Sequence, residues 1–351
     1  MDLLSHSTEI ATNDISEEAW NIANEIDIID LHIDTFIPPR LFAYNVHQKH
    51  RNWFLGRHFF THLDIPRIQE NHLNGAMWSI TTNPFRLEKN RWKTFQSNLQ
   101  YLKEICNTSD HMMWVTRYSE YVQSQKEGKH ACIPSIQGGN AISGGETFLE
   151  EIAQDITRIT LLHLTNSIYG ATSSPDHYFR WNKGLTNRGK NLIELANTYR
   201  IFVDLAHIHP QSFWDAIDIH KKDLPAIVTH TGVDGINPHW RNLDDQQIKA
   251  IADLNGVVGV IFAENFLQNK NTSNDANMIL EHIEHIISIV GEDFVAIGSD
   301  FDGAIRPPKD IIKNPYPRLI QLMLSKNWNI ETISKIMGTN ALRCFQSLRP
   351  T

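Results

Sequence analysis

Eight short runs of apolar, largely β-branched residues recur along the chain: IDIIDLHID (26–34), GAMWSITT (75–82), ACIPSIQ (131–137), RITLLHL (158–164), IFVDLAH (201–207), AIVTH (226–230), VVGVIF (257–262) and FVAIGSD (294–300). They are continuous, not alternating, so both faces of each strand are covered, as in a parallel sheet buried between layers. Between several of them the apolar period changes to 3.6. Trp92, Phe95, Leu99 and Leu102 share one helical face, as do Ile279, Ile283, Ile286 and Val290. The latter helix is expected to stop at Gly291, a residue suited to a helix C-terminus. Eight strands separated by helices predict an α/β fold of the (β/α)8 TIM-barrel type. The count of eight stays open at this level, because two of the runs also fit buried helix segments.

A chain of 351 residues accommodates one such barrel over 1–351, with residues 1–25 as an N-terminal lead-in. Two insertions are expected after the first two strands, at 35–73 and 83–130, carrying loops or small helices over one mouth and setting specificity. Trp53, Phe54, Phe59 and Phe60 suggest that the first insertion is packed. Ile333, Ile336, Met337, Leu342 and Phe345 predict a C-terminal helical layer that closes the fold. No internal repeat, low-complexity stretch or Gly/Pro/Ser-rich linker interrupts this pattern.

A formal net charge of −8 argues against nucleic acid as a partner, because phosphates need a positive surface. No run of about 18 apolar residues occurs, so no membrane association is expected. The N-terminal segment lacks the basic start and apolar stretch of a signal peptide. Cys106, Cys132 and Cys344 are odd in number and far apart, which points to reduced thiols and a cytoplasmic location. Histidine, by contrast, is abundant, with 18 residues. Imidazoles at strand ends are therefore the place to look for ligands.

Seven polar groups fall at or just past the ends of six proposed strands: His32 and Asp34, Gln137, His163, His207, His230 and Asp300. In a barrel those ends form one mouth, where barrel enzymes do their chemistry. His32 and Asp34 are two apart on an extended strand, so both point the same way. Imidazole nitrogen with carboxylate oxygen suits zinc or a similar divalent ion. Each residue alone is weak evidence, and the agreement of six strand ends carries the reading.

Structural roles compete at several of these positions. His163, His207 and His230 could each be satisfied core histidines, and Asp300 and Asp302 could cap a turn. Asp300 ends the last apolar run and is assigned to function, Asp302 to support. His282 and His285 in EHIEH lack the H-E-x-x-H spacing and are expected on the solvated face of their helix. His62, His209 and His239 are expected to be structural or peripheral. No P-loop, G-x-S-x-G elbow, cysteine–base motif or G-x-G-x-x-G fingerprint is present.

With these residues in view, the chain resembles the membrane (renal) dipeptidase family, peptidase family M19 of the amidohydrolase superfamily. The resemblance runs from about 26 to about 346. It is carried in order by DLHIDT (30–35), HLDIPRIQENHLNGAMWSI (62–80), IQGGN (136–140), LLHLTNS (161–167), GLTNRGKNLIELANTYRIFVDLAH (184–207), IVTHTGV (227–233), WRNLDD (240–245), AIGSDFDG (296–303) and IMGTNALRCF (336–345). It implies metal-dependent hydrolysis of a small dipeptide-like substrate, with one or two divalent ions such as Zn2+ and a homodimer as an open question. One ion would sit on His32 and Asp34 and a second on His207 and His230. His163 would polarise the scissile carbonyl, Arg241 would grip the substrate carboxylate, and Asp300 would carry the proton.

One departure stands out. The family's bridging glutamate falls at Gln137, where the usual EGG reads QGG. A neutral amide cannot give a charged oxygen to each of two ions. Three outcomes follow: two ions held more loosely, one ion with altered chemistry, or a binding protein without turnover. An enzyme acting on another amide, such as an acylated amino acid or lactam, is a further reading. Glu146, nine residues on, could in principle swing in, but is not expected to do so.

Overall fold

The computed structural model describes residues 15–49, 59–81, 83, 86–175 and 183–351. Nine parallel strands form one sheet: β1 Ile29–Ile33, β2 Gly75–Thr81, β3 Met112–Trp114, β4 His130–Gln137, β5 Arg158–Thr160, β6 Phe202–Asp204, β7 Ile227–Thr231, β8 Val257–Val260 and β9 Val295–Ile297. Eight of them close into a barrel that runs β1, β9, β8, β7, β6, β5, β4, β2 and back to β1. All eight expected strands are present, with helices between them. β3 was not expected. It pairs with residues 130–132 of β4, along the edge that β5 takes over at 135–137. Three residues are too few to show a period, so nothing in the sequence marks it.

The bore is filled in layers. Ile29, Leu31, Met77, Ile133, Phe202, Ile227 and Val257 make an apolar floor, and Leu342, Phe345 and Leu348 of the helix Asn340–Leu348 plug it from below. The expected C-terminal layer is thus a stopper for the barrel. Outside the barrel, Phe95, Leu99 and Leu102 of the helix Glu88–Asn107 are buried, and so are Ile279, Ile283 and Ile286 of the helix Asn277–Val290. That second helix ends at Gly291 with φ 90°, the left-handed conformation that favours glycine. Gly259 and Gly298 allow β8 and β9 to approach β7, since a Cβ on either would lie within 2.0 Å of the Thr229 carbonyl oxygen.

The two insertions hold the helices Ile37–Phe42 and Ile65–Glu70, then Glu88–Asn107 and Tyr118–Lys126. Trp53 and Phe54 lie outside the described residues. Phe60 packs on Phe42, with ring centroids 5.6 Å apart, whereas Phe59 is exposed. The 1–25 lead-in contains the helix Glu17–Glu25, which buries Ala19, Ile22 and Ala23 in the core. No helix among the described residues is long and apolar enough to cross a membrane.

Candidate metal centre

Two matching irregularities build the mouth. β1 pairs Asp30 with Ala76 but Ile33 with Trp78, so β1 carries one extra residue. β7 does the same against β8, between Val228 and Thr231. A bulge re-aims the side chains that follow it. Below the bulges Ile29, Leu31 and Ile227 point into the bore, and strict alternation would turn His32 and His230 outward. With the extra residues both face inward, their rings 3.8 Å apart.

Buried carboxylates hold these bulges in place. Asp30 Oδ1 accepts the backbone N–H groups of His32 (3.0 Å) and Ser299 (2.9 Å), and its Oδ2 accepts the Tyr316 hydroxyl (2.9 Å). Burial pushes its carboxyl up despite those bonds. Asp204 Oδ1 accepts the N–H groups of Ala206 (3.1 Å) and Thr229 (3.0 Å). Neither aspartate figured among the expected site residues. The signal was present as D-L-H (30–32) and D-L-A-H (204–207), an acid inside an apolar run just before a histidine.

Beneath the mouth lies a buried guanidinium that the sequence reading also missed. Arg158 Nη1 donates to His32 Nδ1 (2.8 Å), Asp204 Oδ2 (3.0 Å) and Thr229 Oγ1 (3.1 Å), while Nη2 donates to the hydroxyls of Ser79 (2.6 Å) and Ser135 (2.8 Å). A guanidinium has no acceptor, so His32 must accept at Nδ1 and carry its proton on Nε2. The Gln137 amide completes the chain when its oxygen faces His32 Nε2 at 3.1 Å. Its nitrogen then donates to Asp34 Oδ1 and Oδ2 at 3.1 and 3.2 Å and to Thr81 Oγ1 at 2.8 Å. Guanidinium, imidazole, amide and carboxylate thus satisfy one another.

The other half of the centre differs. His207 Nε2 and His230 Nε2 face each other at 2.9 Å, and His230 Nδ1 is engaged by Thr229 Oγ1 at 2.8 Å. Burial, with Arg241 nearby, holds both imidazoles well below their usual range, so both are neutral and have lone pairs to give. Asp300 Oδ1 lies 3.4 Å from His32 Nε2. Ligand atoms of His32, His230 and Asp300 lie within 4.8 Å of one another. Burial, and then Asp34, raise the Asp300 carboxyl well above the carboxylate range. A cation held by His230 and Asp300, with His32 and His207 adjoining, would answer both shifts, so this donor set fits a divalent ion. The His32–Gln137–Asp34 side fits one less well, because the His32 lone pair at Nδ1 is taken by Arg158 and its Nε2 carries the proton towards Gln137.

All seven strand-end groups converge on this mouth, though not all from strands. β5, β6 and β9 end three residues before His163, His207 and Asp300, which ride on the following coil. His207 (φ 64°) and Asp300 (φ 62°) adopt the left-handed backbone that side chains rarely take and that gathers at functional sites. Arg241 is buried, donates from Nη2 to the His230 carbonyl (2.8 Å), and is drawn down to about 10 by burial, so it remains a cation at neutral pH. His239, expected to be structural or peripheral, is structural: its Nδ1 accepts the backbone N–H of Arg241 (3.1 Å) and so helps place it. His163 has its ring 4.6 Å from that of His207, no partner at its buried Nδ1, and a pKa pulled to about 4 by burial.

Two expectations are revised. His282 is not on a solvated face: it is fully buried, accepting the Val233 N–H at Nδ1 (2.9 Å) and donating from Nε2 to the Leu267 carbonyl (3.0 Å), because its helix is covered on two sides. His285 is half-buried and pairs with Asp245 at 2.7 Å. Glu146 does not substitute at the centre, since it pairs with Arg188 at 2.5 Å. Asp302 and His62 are structural as expected: each accepts the other's backbone N–H, at 2.8 and 2.9 Å.

Residues 16–350 match the membrane dipeptidase family, peptidase family M19. An uncharacterised Klebsiella pneumoniae protein from the pqqA 5′ region is 35% identical over 168 residues, which is 47% of this chain and 61% of that protein. Dipeptidase tcpJ of Claviceps purpurea is 25% identical over 306 residues, 82% of this chain and 69% of that protein. Among solved structures, the metallopeptidase dipeptidase AC superposes with a TM-score of 0.80 at 23% identity, covering 93% of this chain and 99% of that one. A Rhodobacter sphaeroides metallopeptidase, solved with a phosphinate mimic of the dipeptide L-Ala-D-Ala, also gives 0.80, at 21% identity, covering 92% and 99%. The chain therefore belongs to the membrane dipeptidase family, peptidase M19, a family of metal-dependent dipeptidases.

Proposed function

We propose that this chain hydrolyses dipeptides around a centre that binds one divalent ion, zinc by its nitrogen-rich donors, far more tightly than a second. The observation that carries the reading is the pair of neutral imidazoles His207 and His230, Nε2 to Nε2 at 2.9 Å, beside a His32–Gln137–Asp34 side whose hydrogen bonds run back to Arg158, with Asp300 standing against His32 and His230. His207 and His230 would hold the tight ion, and His32, Asp34 and Gln137 the weak position. When bound, the ion supplies Lewis-acid polarisation of water and of the scissile carbonyl.

The chain's own residues do the rest. Arg241 presents its guanidinium fork to the C-terminal carboxylate and fixes the peptide across the mouth. His163, neutral at pH 7, donates one N–H to the carbonyl oxygen as negative charge develops there. Asp300 Oδ1 takes a proton from the attacking water and passes it to the leaving amine. Burial and Asp34 raise its carboxyl, which makes it a stronger proton acceptor than an exposed carboxylate.

Chelation followed by zinc addition tests the reading: hydrolysis of Ala-Ala should vanish and return, should be lost in His230→Ala, and should show a raised KM in Arg241→Ala. The reading fails if a fully metal-loaded wild-type protein hydrolyses no dipeptide. A second reading, a binding protein without turnover, draws on the Arg158–His32–Gln137–Asp34 chain, which needs no ion. Catalytic hydrolysis that depends on His207 and His230 excludes it. An enzyme for another amide would differ in turning over substrates that lack a free amine.

A further inference from the structure

Beside the centre, a cavity of about 330 Å³ opens at the mouth, within the range of about 300–1,000 Å³ usual for small-ligand sites. Its floor and wall include Thr81 and His163, so it is continuous with the centre. Three guanidiniums line it: Arg40 from the helix Ile37–Phe42 after β1, and Arg86 and Arg91 from the segment after β2. No carboxylate lines it among the described residues. Arg40 donates from Nη1 to the Thr81 carbonyl (3.0 Å) and rests on the Phe36 ring (5.2 Å). Arg91 donates from Nε to the Arg86 carbonyl (2.9 Å) and from Nη1 to Ser143 Oγ (3.4 Å). Burial draws the Arg40 guanidinium below its usual range, Asp34 opposes that shift and Arg86 adds to it. Guanidiniums stay charged at every working pH, so an anionic group that enters this cavity meets three fixed positive charges.

The barrel order places this cavity relative to Arg241. In the ring β1, β9, β8, β7, β6, β5, β4, β2, the strand opposite β2 is β7, and Arg241 follows β7. A substrate whose terminal carboxylate meets Arg241 therefore reaches across the centre towards Arg40, Arg86 and Arg91.

We propose that the preferred substrate carries a second negative charge: a dipeptide with an aspartyl or glutamyl residue at its amino end, whose side-chain carboxylate enters the arginine-lined cavity while its C-terminal carboxylate binds Arg241. This rests on the dipeptidase reading. Ile80 and Phe95 supply apolar wall for the methylene groups, and the arginines supply the forks that match a carboxylate.

Zinc-loaded protein is assayed with Glu-Ala, Gln-Ala, Ala-Ala and Lys-Ala. The kcat/KM for Glu-Ala should exceed that for its neutral isostere Gln-Ala by about tenfold or more, with Lys-Ala poorest, and the advantage should shrink as salt rises. In the double variant Arg86→Ala/Arg91→Ala the Glu-Ala to Gln-Ala ratio should fall towards one, chiefly through KM. The single reversal Arg86→Glu, at an exposed position, should shift preference towards Lys-Ala even if the double variant fails to fold. A wild-type ratio near one overturns the proposal and leaves the dipeptidase reading standing. If no dipeptide is hydrolysed, that reading fails, and calorimetric titration of Glu-Ala and Gln-Ala decides the cavity alone. Tighter Glu-Ala binding that Arg86→Glu removes sustains the proposal; equal or absent binding overturns it.

Discussion

Gln137→Glu puts a carboxylate back between the two halves of the centre, and its cost follows from the distances. The wild-type amide nitrogen donates to both Asp34 oxygens, at 3.1 and 3.2 Å, and to Thr81 Oγ1 at 2.8 Å. Glutamate replaces that donor with a charged acceptor at the same spacing. A lost hydrogen bond to a charged group costs about 1.5–3 kcal/mol, and two carboxylates this close cannot both stay ionised. The metal-free variant should therefore be about 2–4 kcal/mol less stable than wild type at pH 7. The shared proton raises the folded pair's upper pKa, so the deficit should be small at pH 4 and grow as pH rises towards 7. Zinc should reverse the order, because the new carboxylate offers an anionic oxygen to each position. A second ion at about 100 times its Kd adds about 2.7 kcal/mol. Urea unfolding at pH 4.5 and 7, in chelator and in zinc, measures all of this. Equal stability of the two metal-free proteins at pH 7, or no extra gain from zinc in the variant, would refute the reasoning.

Asp300→Asn should abolish turnover while leaving one zinc bound by calorimetry, since His207 and His230 remain; unchanged turnover would remove Asp300 from proton transfer. Arg158→Met should cost about 3–5 kcal/mol in urea unfolding, because it leaves the Asp204 carboxylate buried without its cation. His130 and His282 are buried and neutral, each held near a pKa of about 4 chiefly by burial. Their stabilisation is complete at pH 7 and is lost as pH falls from about 6.5 towards 4, because the unfolded chain takes up protons that the folded one refuses. Urea unfolding at pH 5 should show a loss of about 2 kcal/mol per histidine, reduced in His130→Gln, with no loss contradicting neutral burial.

The barrel was legible because parallel strands buried on both faces leave continuous apolar runs, and eight of these alternating with helical patterns suit few other folds, although two of the runs also fitted buried helix segments. Of the insertion helices, Glu88–Asn107 showed in the 3.6 spacing of Trp92, Phe95, Leu99 and Leu102, and the C-terminal stopper showed in its apolar residues. What escaped detection depends on partners distant in sequence. Nothing local says that Asp30 will hold the Ser299 amide, or that Arg158 will reach His32 across the bore. The bulges in β1 and β7 are invisible for the same reason, although the His32 and His230 side chains would face outward without them. His282 was misjudged because one helix face was taken as dry and the other as wet, whereas its helix is covered on both. The centre's residues were found from strand ends, but its division into a free half and a satisfied half exists only in three dimensions.

Metal content and affinity of the wild-type protein test that division most directly. After zinc loading and desalting, about one ion per chain should remain, lost in His230→Ala and retained in Asp34→Asn, as expected when neutral imidazoles supply the tight ligands. Two ions per chain of equal affinity, or retention of the ion in His230→Ala with loss in Asp34→Asn, would contradict the account.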